Sequence, residues 1–346
     1  MSSRTAVVLL GFGEPEGADQ EEVTGFLERI FLANAGLEDK GPGGAEARAR
    51  FLANARAPAL TEIYQAIGGS PLMSQLQAKR EGLEQELTRR DLEIPVTLGT
   101  QFLAPSISDA VAWCQEHEIE RIVGLTTYPV CGRSTTVASL DELSREVVAR
   151  QSFAEVVAVG GWHAHPDFAG IWEVAIREHA QSVGVELLEP GSLLYFSAHG
   201  TPLKYLEKLP YTHYVEALCS AIANSLGDVK YVLGYQNHGN RPIPWVEPDN
   251  ETLMPSLEAD RVVVVPISFI QEQSETLSEL DHDLSELARS QGLEFYRVPV
   301  PHDSPALLEL MADLVEAALV SPGAELLRGC NCNPGAWCTN GGANGS

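Results

Sequence analysis

Four short segments gather residue types that can hold a proton, a metal ion or a flat ligand. The first is Phe196-Ser197-Ala198-His199-Gly200-Thr201-Pro202. The apolar run before His199 predicts a strand and the small residues after it a loop, so the imidazole is expected at a strand end. A neutral imidazole there accepts a proton or ligates a metal. Position alone gives equal weight to a buried histidine bonded to backbone. The second segment, residues 266–283, reads PISFIQEQSETLSELDHD. A strand ends there and a helix is predicted from about Ser274. That helix sets Glu275, Glu279 and Asp283 at i, i+4 and i+8 on one face. Carboxylates so spaced repel and raise one another's pKa unless a cation or proton sits among them. In isolation, a solvated acidic face accounts for the same stripe.

The third segment, Gln236-Asn237-His238-Gly239-Asn240-Arg241-Pro242-Ile243-Pro244-Trp245-Val246-Glu247-Pro248, is a long loop after a strand. Its Trp245 can stack on a flat aromatic ligand or plug the loop onto the core. The fourth, Ile67-Gly68-Gly69-Ser70-Pro71-Leu72, is a glycine-rich turn before a helix. No lysine follows it, so it is not a P-loop, and a plain tight turn is the better reading.

These segments need a scaffold, and the apolar pattern supplies one. Short β-branched runs at 6–10, 96–101, 121–128 and 155–160 predict four strands, and runs at 192–198, 229–235, 261–267 and 293–298 four more. Amphipathic stretches with helical spacing lie between them, at 72–87, 107–114, 140–148, 215–226, 274–287 and 305–319. Nearly continuous apolar strands alternating with helices predict parallel sheets covered on both faces. The fold class is therefore α/β, with two similar Rossmann-like lobes, each a four-stranded parallel sheet flanked by helices. The expected division is 1–160, 161–320 and a cysteine-rich extension at 321–346, with the second set of strands starting at about Gly191. Ligands of such sheets bind beyond the carboxyl ends of the strands, where the histidine and the tryptophan loop are expected.

The chain has 346 residues, enough for two lobes with cores of their own, and 44% of them are hydrophobic. A net charge of −25 excludes nucleic acid as a natural partner, since phosphate contacts need clustered Lys and Arg. It also opposes an anionic membrane surface. No apolar stretch is long enough to span a bilayer, and the first run lacks a signal-peptide cleavage site. The reading is a cytoplasmic protein whose membrane contact is at most peripheral, at a lip around residues 45–60 bearing Phe51 and Leu52.

Taken together and in order, the four segments resemble the ferrochelatase family over about residues 5–320. The strand-end Ser-Ala-His, the Gly-Gly-Ser-Pro turn, the Pro-x-Pro-Trp-x-x-Pro loop and the Glu-Thr-Leu-x-Glu-Leu-Asp helix carry that resemblance. It implies a chelatase of haem biosynthesis that inserts Fe²⁺, its substrate, into a porphyrin, coproporphyrin III or protoporphyrin IX, in the cleft between the lobes. It implies His199 and Glu275 as the catalytic and metal-binding pair, with Glu279 and Asp283 continuing an acidic file that carries metal in or protons out. It implies a porphyrin pocket with Phe12, Tyr128, Ser134 and Trp245, and with Arg56 on a propionate. It also implies transfer partners in haem synthesis. Alternatives are a cobalt or nickel chelatase acting on another tetrapyrrole, and a porphyrin- or metal-binding carrier without turnover.

Some positions depart from the family pattern. Glu272-Gln273 stand where many members have Asp-His, so one candidate ligand is absent. Phe12 in Phe12-Gly13-Glu14-Pro15 cannot ligate metal where some members carry Tyr. Gly200 replaces the usual Ser, and Lys208-Leu209-Pro210-Tyr211 the usual Gly-Asp-Pro-Tyr.

Six cysteines remain, at 114, 131, 219, 330, 332 and 338. Cys114 and Cys219 fall in helical patterns and are expected in the core. Cys330, Cys332 and Cys338 bring three thiolates close together, and a sulfur-ligated site needs a fourth ligand. Cys131, expected in an exposed loop after a strand, is the candidate. The arrangement resembles the [2Fe–2S] cluster of some ferrochelatases, although there the internal cysteine directly precedes the Ser-Thr pair, where Arg133 stands here. A structural Zn²⁺ or a reactive tail are the alternatives.

Overall fold

The computed structural model describes residues 4–37, 43–207, 209–238 and 243–320. In its first half the chain runs β1 (Thr5–Gly11), α1 (Gln20–Ala33), α2 (Gly44–Ile67), α3 (Leu72–Arg89), β2 (Val96–Thr100), α4 (Ile107–Glu116), β3 (Arg121–Thr126), α5 (Ala138–Ala149), β4 (Glu155–Val159) and α6 (Pro166–Ser182). The second half follows with β5 (Ser192–His199), α7 (Leu203–Leu206), α8 (Tyr211–Ser225), β6 (Tyr231–Gln236), α9 (Asn250–Leu253), β7 (Arg261–Pro266), α10 (Ser285–Ser290), β8 (Glu294–Arg297) and α11 (Pro305–Val320).

The strands form two four-stranded sheets with the same order, β2-β1-β3-β4 and β6-β5-β7-β8. Every pairing is parallel. The reason is in the strands themselves: Ala6–Leu10 and Val262–Val265 are wholly buried apolar runs, which only a sheet covered by helices on both faces can hold. One apolar core joins the two sheets, with Val8 and Leu125 from the first, Phe196 and Val265 from the second, and Leu310 and Leu314 of α11 between. Although α11 closes the second half of the sequence, it packs on α3 and α6. Lys79 of α3 donates to the His302 carbonyl at 2.7 Å in the approach to that helix.

Three long helices carry no expectation above, nor do the single turns α7 and α9. In α1, Val23, Phe26 and Leu27 are buried, and in α6 Phe168, Ile171 and Trp172. The stripe of α2 that turns inward is Ala49, Ala53, Ala57, Thr61 and Tyr64. Alanines at four-residue spacing give little hydrophobic signal, but they let α1 and α2 approach closely.

The acidic segment also differs from expectation. It winds as a π-helix over Glu275–Leu284 and becomes α-helical only at Ser285. A second π-wound stretch, Arg133–Val137, precedes α5. Such i→i+5 winding is rare and recurs at functional sites. The glycine turn is the end of α2: Gly68 and Gly69 both have positive φ, and a Cβ on Gly69 would stand 2.2 Å from the Glu16 carbonyl oxygen. It caps a helix and is not an anion cradle.

Candidate active site

The carboxyl ends of both sheets face one cleft. It consists of two adjoining recesses of about 820 and 1090 Å³ that share Phe12, Ser134, His199, Gly200 and Glu275 in their walls. Tyr128 lines the smaller recess, and Arg56, Trp245 and Glu279 the larger. The residues expected around a porphyrin are thus brought to one place.

His199 is the last residue of the inner strand β5. Its amide donates to Ser268 Oγ at 2.7 Å, and its carbonyl accepts from Tyr211 Oη at 3.0 Å. The backbone around the imidazole is therefore fixed from β7's end and from α8. Gly200 follows because nothing larger fits: a Cβ there would lie 2.5 Å from the Gln236 carbonyl oxygen. Glu275 opens the π-wound segment on the opposite side, its Oε1 3.5 Å from His199 Nε2. Gln273 Nε2 donates to the other oxygen, Oε2, at 2.9 Å.

The electrostatics of this pair are reciprocal. Burial disfavours a charge on His199, but the adjacent Glu275 carboxylate outweighs it and raises the imidazole pKa above its ordinary 6.5. Burial likewise pushes Glu275 up, and the imidazoles of His199 and His238 pull it well below the usual carboxylate range. Glu279 goes the other way: burial, then the neighbouring Glu275 charge, raise its pKa. Two carboxyls on one face are therefore pushed apart in proton affinity, Glu275 down and Glu279 up, because one faces imidazoles and the other a carboxylate. Gln236 bridges them, donating to the Glu275 carbonyl at 3.0 Å and to Glu279 Oε2 at 3.1 Å. Asp283 lies farther along, exposed, against His282 at 2.9 Å. The file therefore runs from cleft to surface.

The walls are largely apolar. Phe12 meets Phe102 and Phe26 edge-on, with centroids 4.7 and 6.1 Å apart. Trp245 is half-buried, with no acceptor for its indole N–H among the described residues. Tyr128 Oη donates to Gln101 Oε1 at 2.8 Å, and Ser134 sits in the π-wound stretch before α5. Arg56 is exposed at the rim, with no ion pair among the described residues.

Three groups at this site drew no role from sequence. His238 stands 3.8 Å from Glu275 Oε1; its signal was a histidine two residues beyond a strand end. Gln236, the last residue of β6, offered no chemical signal. Glu14 is buried and accepts from Tyr64 Oη at 3.0 Å, from the Ser274 amide at 3.2 Å and from the hydroxyls of Ser70 and Ser274. Burial raises its pKa and these donors offset part of the rise. It ties the first lobe to the residue before Glu275.

Glu272, which stands where many family members have Asp, accepts from Arg297 at 2.7 Å, Thr276 at 2.6 Å and the Val300 amide at 2.9 Å, so its charge is spent on structure. One expectation needs correction. Cys131 is not in an exposed loop. It is buried with Val130 in the apolar core that joins the two sheets, because the turn after β3 is covered by the turn after β4, where the His163 amide bonds the Pro129 carbonyl at 2.9 Å. Cys114 and Cys219 are buried as expected. Cys330, Cys332 and Cys338 lie outside the described residues.

A family model described as ferrochelatase matches residues 4–319. The chain belongs to the ferrochelatase family. It is 31% identical over 338 residues to the ferrochelatase of Synechococcus sp. (strain RCC307), covering 94% of this chain and 85% of the relative. It is 31% identical over 329 residues to the ferrochelatase of Geobacter sp. (strain M21), covering 92% and 99%. Among solved structures, SirB from Bacillus subtilis with Fe³⁺ superposes with a TM-score of 0.54 over 92% of this chelatase and 96% of that chain. At 9% identity that likeness speaks for the two-lobed fold alone. The chelatase is thus an enzyme by family, with its cleft where the fold puts ligands.

Proposed function

We propose that this enzyme inserts Fe²⁺ into a porphyrin held between its lobes, as a step of haem biosynthesis. The observation that carries this reading is the His199 Nε2–Glu275 Oε1 approach of 3.5 Å at the base of an apolar cleft. Metallation removes two pyrrole N–H protons as one divalent cation enters. It therefore needs a proton acceptor, anionic groups to balance the cation and apolar walls to hold the ring. His199 takes a proton, Glu275 compensates the metal's charge, and Glu279 and Asp283 pass protons or metal along the file. Phe12, Tyr128, Ser134 and Trp245 hold the macrocycle, and Arg56 pairs with a propionate at the rim.

The test is to incubate the protein with coproporphyrin III or protoporphyrin IX and Fe²⁺, Co²⁺ or Zn²⁺, and to follow the metalloporphyrin absorbance. Metallation with Fe²⁺ is expected. Porphyrin binding without metallation by any ion would refute the enzymatic reading, and turnover with Co²⁺ but not Fe²⁺ would move the substrate to another metal.

The tail cysteines carry a separate proposal. A buried Cys131 does not fit as the fourth cluster ligand, since its thiol is packed in the core. The close spacing of Cys330, Cys332 and Cys338 still supports a sulfur-ligated group, a [2Fe–2S] cluster with a different fourth ligand. Broad sulfur-to-iron bands in the visible spectrum of porphyrin-free protein are expected, lost in Cys332→Ser and kept in Cys131→Ser. A colourless protein holding zinc would reject the cluster.

The same reading places the enzyme in the cytoplasm, exchanging porphyrin and haem with transfer partners. No helix among the described residues is long and apolar enough to cross a membrane. Phe51 stands exposed on the lip of α2, which supports a membrane contact that is at most peripheral.

A further inference from the structure

We infer that His238 is a third ligand of the incoming metal, completing with His199 and Glu275 a docking site that holds the ion before it enters the macrocycle. This rests on the chelatase reading but on a different observation. One nitrogen of each imidazole and one oxygen of Glu275 lie within 4.8 Å of one another. Glu275 Oε1 is the hub, 3.5 Å from His199 Nε2 and 3.8 Å from His238 Nε2. Its other oxygen is engaged by Gln273, so Oε1 is the atom turned to the two imidazoles. Two imidazoles and a carboxylate suit first-row divalent ions. With one donor from each residue, the other coordination positions stay open to water and then to pyrrole nitrogens.

The surroundings hold His238 where a ligand is needed. The loop after β6 is pinned at both ends: Asn237 Nδ2 donates to the Val246 carbonyl at 2.8 Å, and the Val246 amide to the Thr201 carbonyl at 3.0 Å. The second bond ties this loop to the turn that follows His199, so the two histidines are set relative to each other by backbone. The imidazole of His238 meets Trp245 edge-on at 5.3 Å and His199 at 5.5 Å. All three ligands are half-buried in the cleft wall, open to an ion yet partly screened from bulk water. Trp245 then has two uses, holding the porphyrin and packing against the ring of a ligand.

The experiment uses the full chain without porphyrin and Co²⁺ as the probe, titrated by visible absorption and calorimetry in wild type, His238→Ala and His238→Gln. A removed ligand is expected to weaken Co²⁺ binding roughly tenfold or more, and to raise KM for the metal by a similar factor. Porphyrin affinity, read from quenching of tryptophan fluorescence, should stay within about twofold, since neither substitution takes an apolar wall away. Unchanged Co²⁺ affinity in both variants would overturn the inference. So would a loss of porphyrin affinity as large as the loss of Co²⁺ affinity, because that marks a collapsed loop. Because metal binding is read without turnover, a protein that binds Co²⁺ through His238 yet metallates nothing would sink the chelatase reading and keep the site.

Discussion

His199 and Glu275 set each other's charge, and that fixes how the enzyme responds to pH. A general base works only when unprotonated, and Glu275 raises the His199 pKa above 6.5. The metallation rate should therefore climb with pH through a point above 6.5 and fall as the imidazole protonates below it. His199→Ala should remove that limb and lower kcat by roughly 10²- to 10⁴-fold. Glu275→Gln removes the anion that holds the proton on His199, so whatever rate remains should show its limb shifted to lower pH. A pH–rate profile of each variant decides: an unshifted limb in Glu275→Gln, or near-normal rates in both, would refute the pairing. The types of these two residues were legible in the sequence, one at a strand end and one on an acidic stripe. Their facing was not, because no local pattern encodes which loop of one half of a sheet meets which helix beyond another strand. His238 shows the same limit, since its loop is shaped by bonds to the turn after His199.

The acidic file works only if the segment that bears it is held, and Arg297 at the end of β8 does that. Its guanidinium bonds Glu272 just before the π-wound stretch and Asp281 within it, at 2.7 Å and 2.5 Å. The Arg297 and Glu272 side chains are each only 10% exposed. Removing one partner of a buried pair leaves an uncompensated charge and costs about 3–5 kcal/mol. Glu272→Ala should lie at the low end, because Asp281 still pairs with Arg297, whereas Arg297→Ala, which leaves the buried Glu272 carboxylate without its cation, should lie at the high end. Urea midpoints of the two variants test that order; a reversed order, or no shift in either, would show that the segment is held elsewhere. The sequence marked this segment as helical from its apolar spacing at Leu277, Leu280 and Leu284. It did not mark the π winding, nor the anchors of the segment, since Glu14 and Arg297 lie outside it in the sequence. The same contrast separates α3, visible from its leucines, from α2, whose buried alanines look neutral.

At the scale of the molecule, two sheets of identical strand order open onto one cleft, and this was the most legible feature. Unbroken apolar strands separated by amphipathic helices admit few other architectures. The return of α11 to the first lobe was hidden, since a helix hydrophobic over Leu307–Leu319 states that it is covered, not by what. The whole molecule also carries a net charge of −25, and its two proposed substrates have opposite signs. A divalent cation is drawn toward such a field, while a porphyrin bearing propionates is repelled until it reaches Arg56 at the rim. Salt screens both effects, since the Debye length falls from about 30 Å at 0.01 M to about 8 Å at 0.15 M. Raising ionic strength over that range should therefore raise KM for Fe²⁺ and lower KM for the porphyrin, with kcat nearly constant because the His199–Glu275 contact is too short to be screened. Steady-state kinetics with each substrate varied in turn reads both slopes. Shifts of the same sign for iron and porphyrin would mean that the field of the chain does not steer its substrates, and that the local contacts at Arg56 and the histidines govern capture alone.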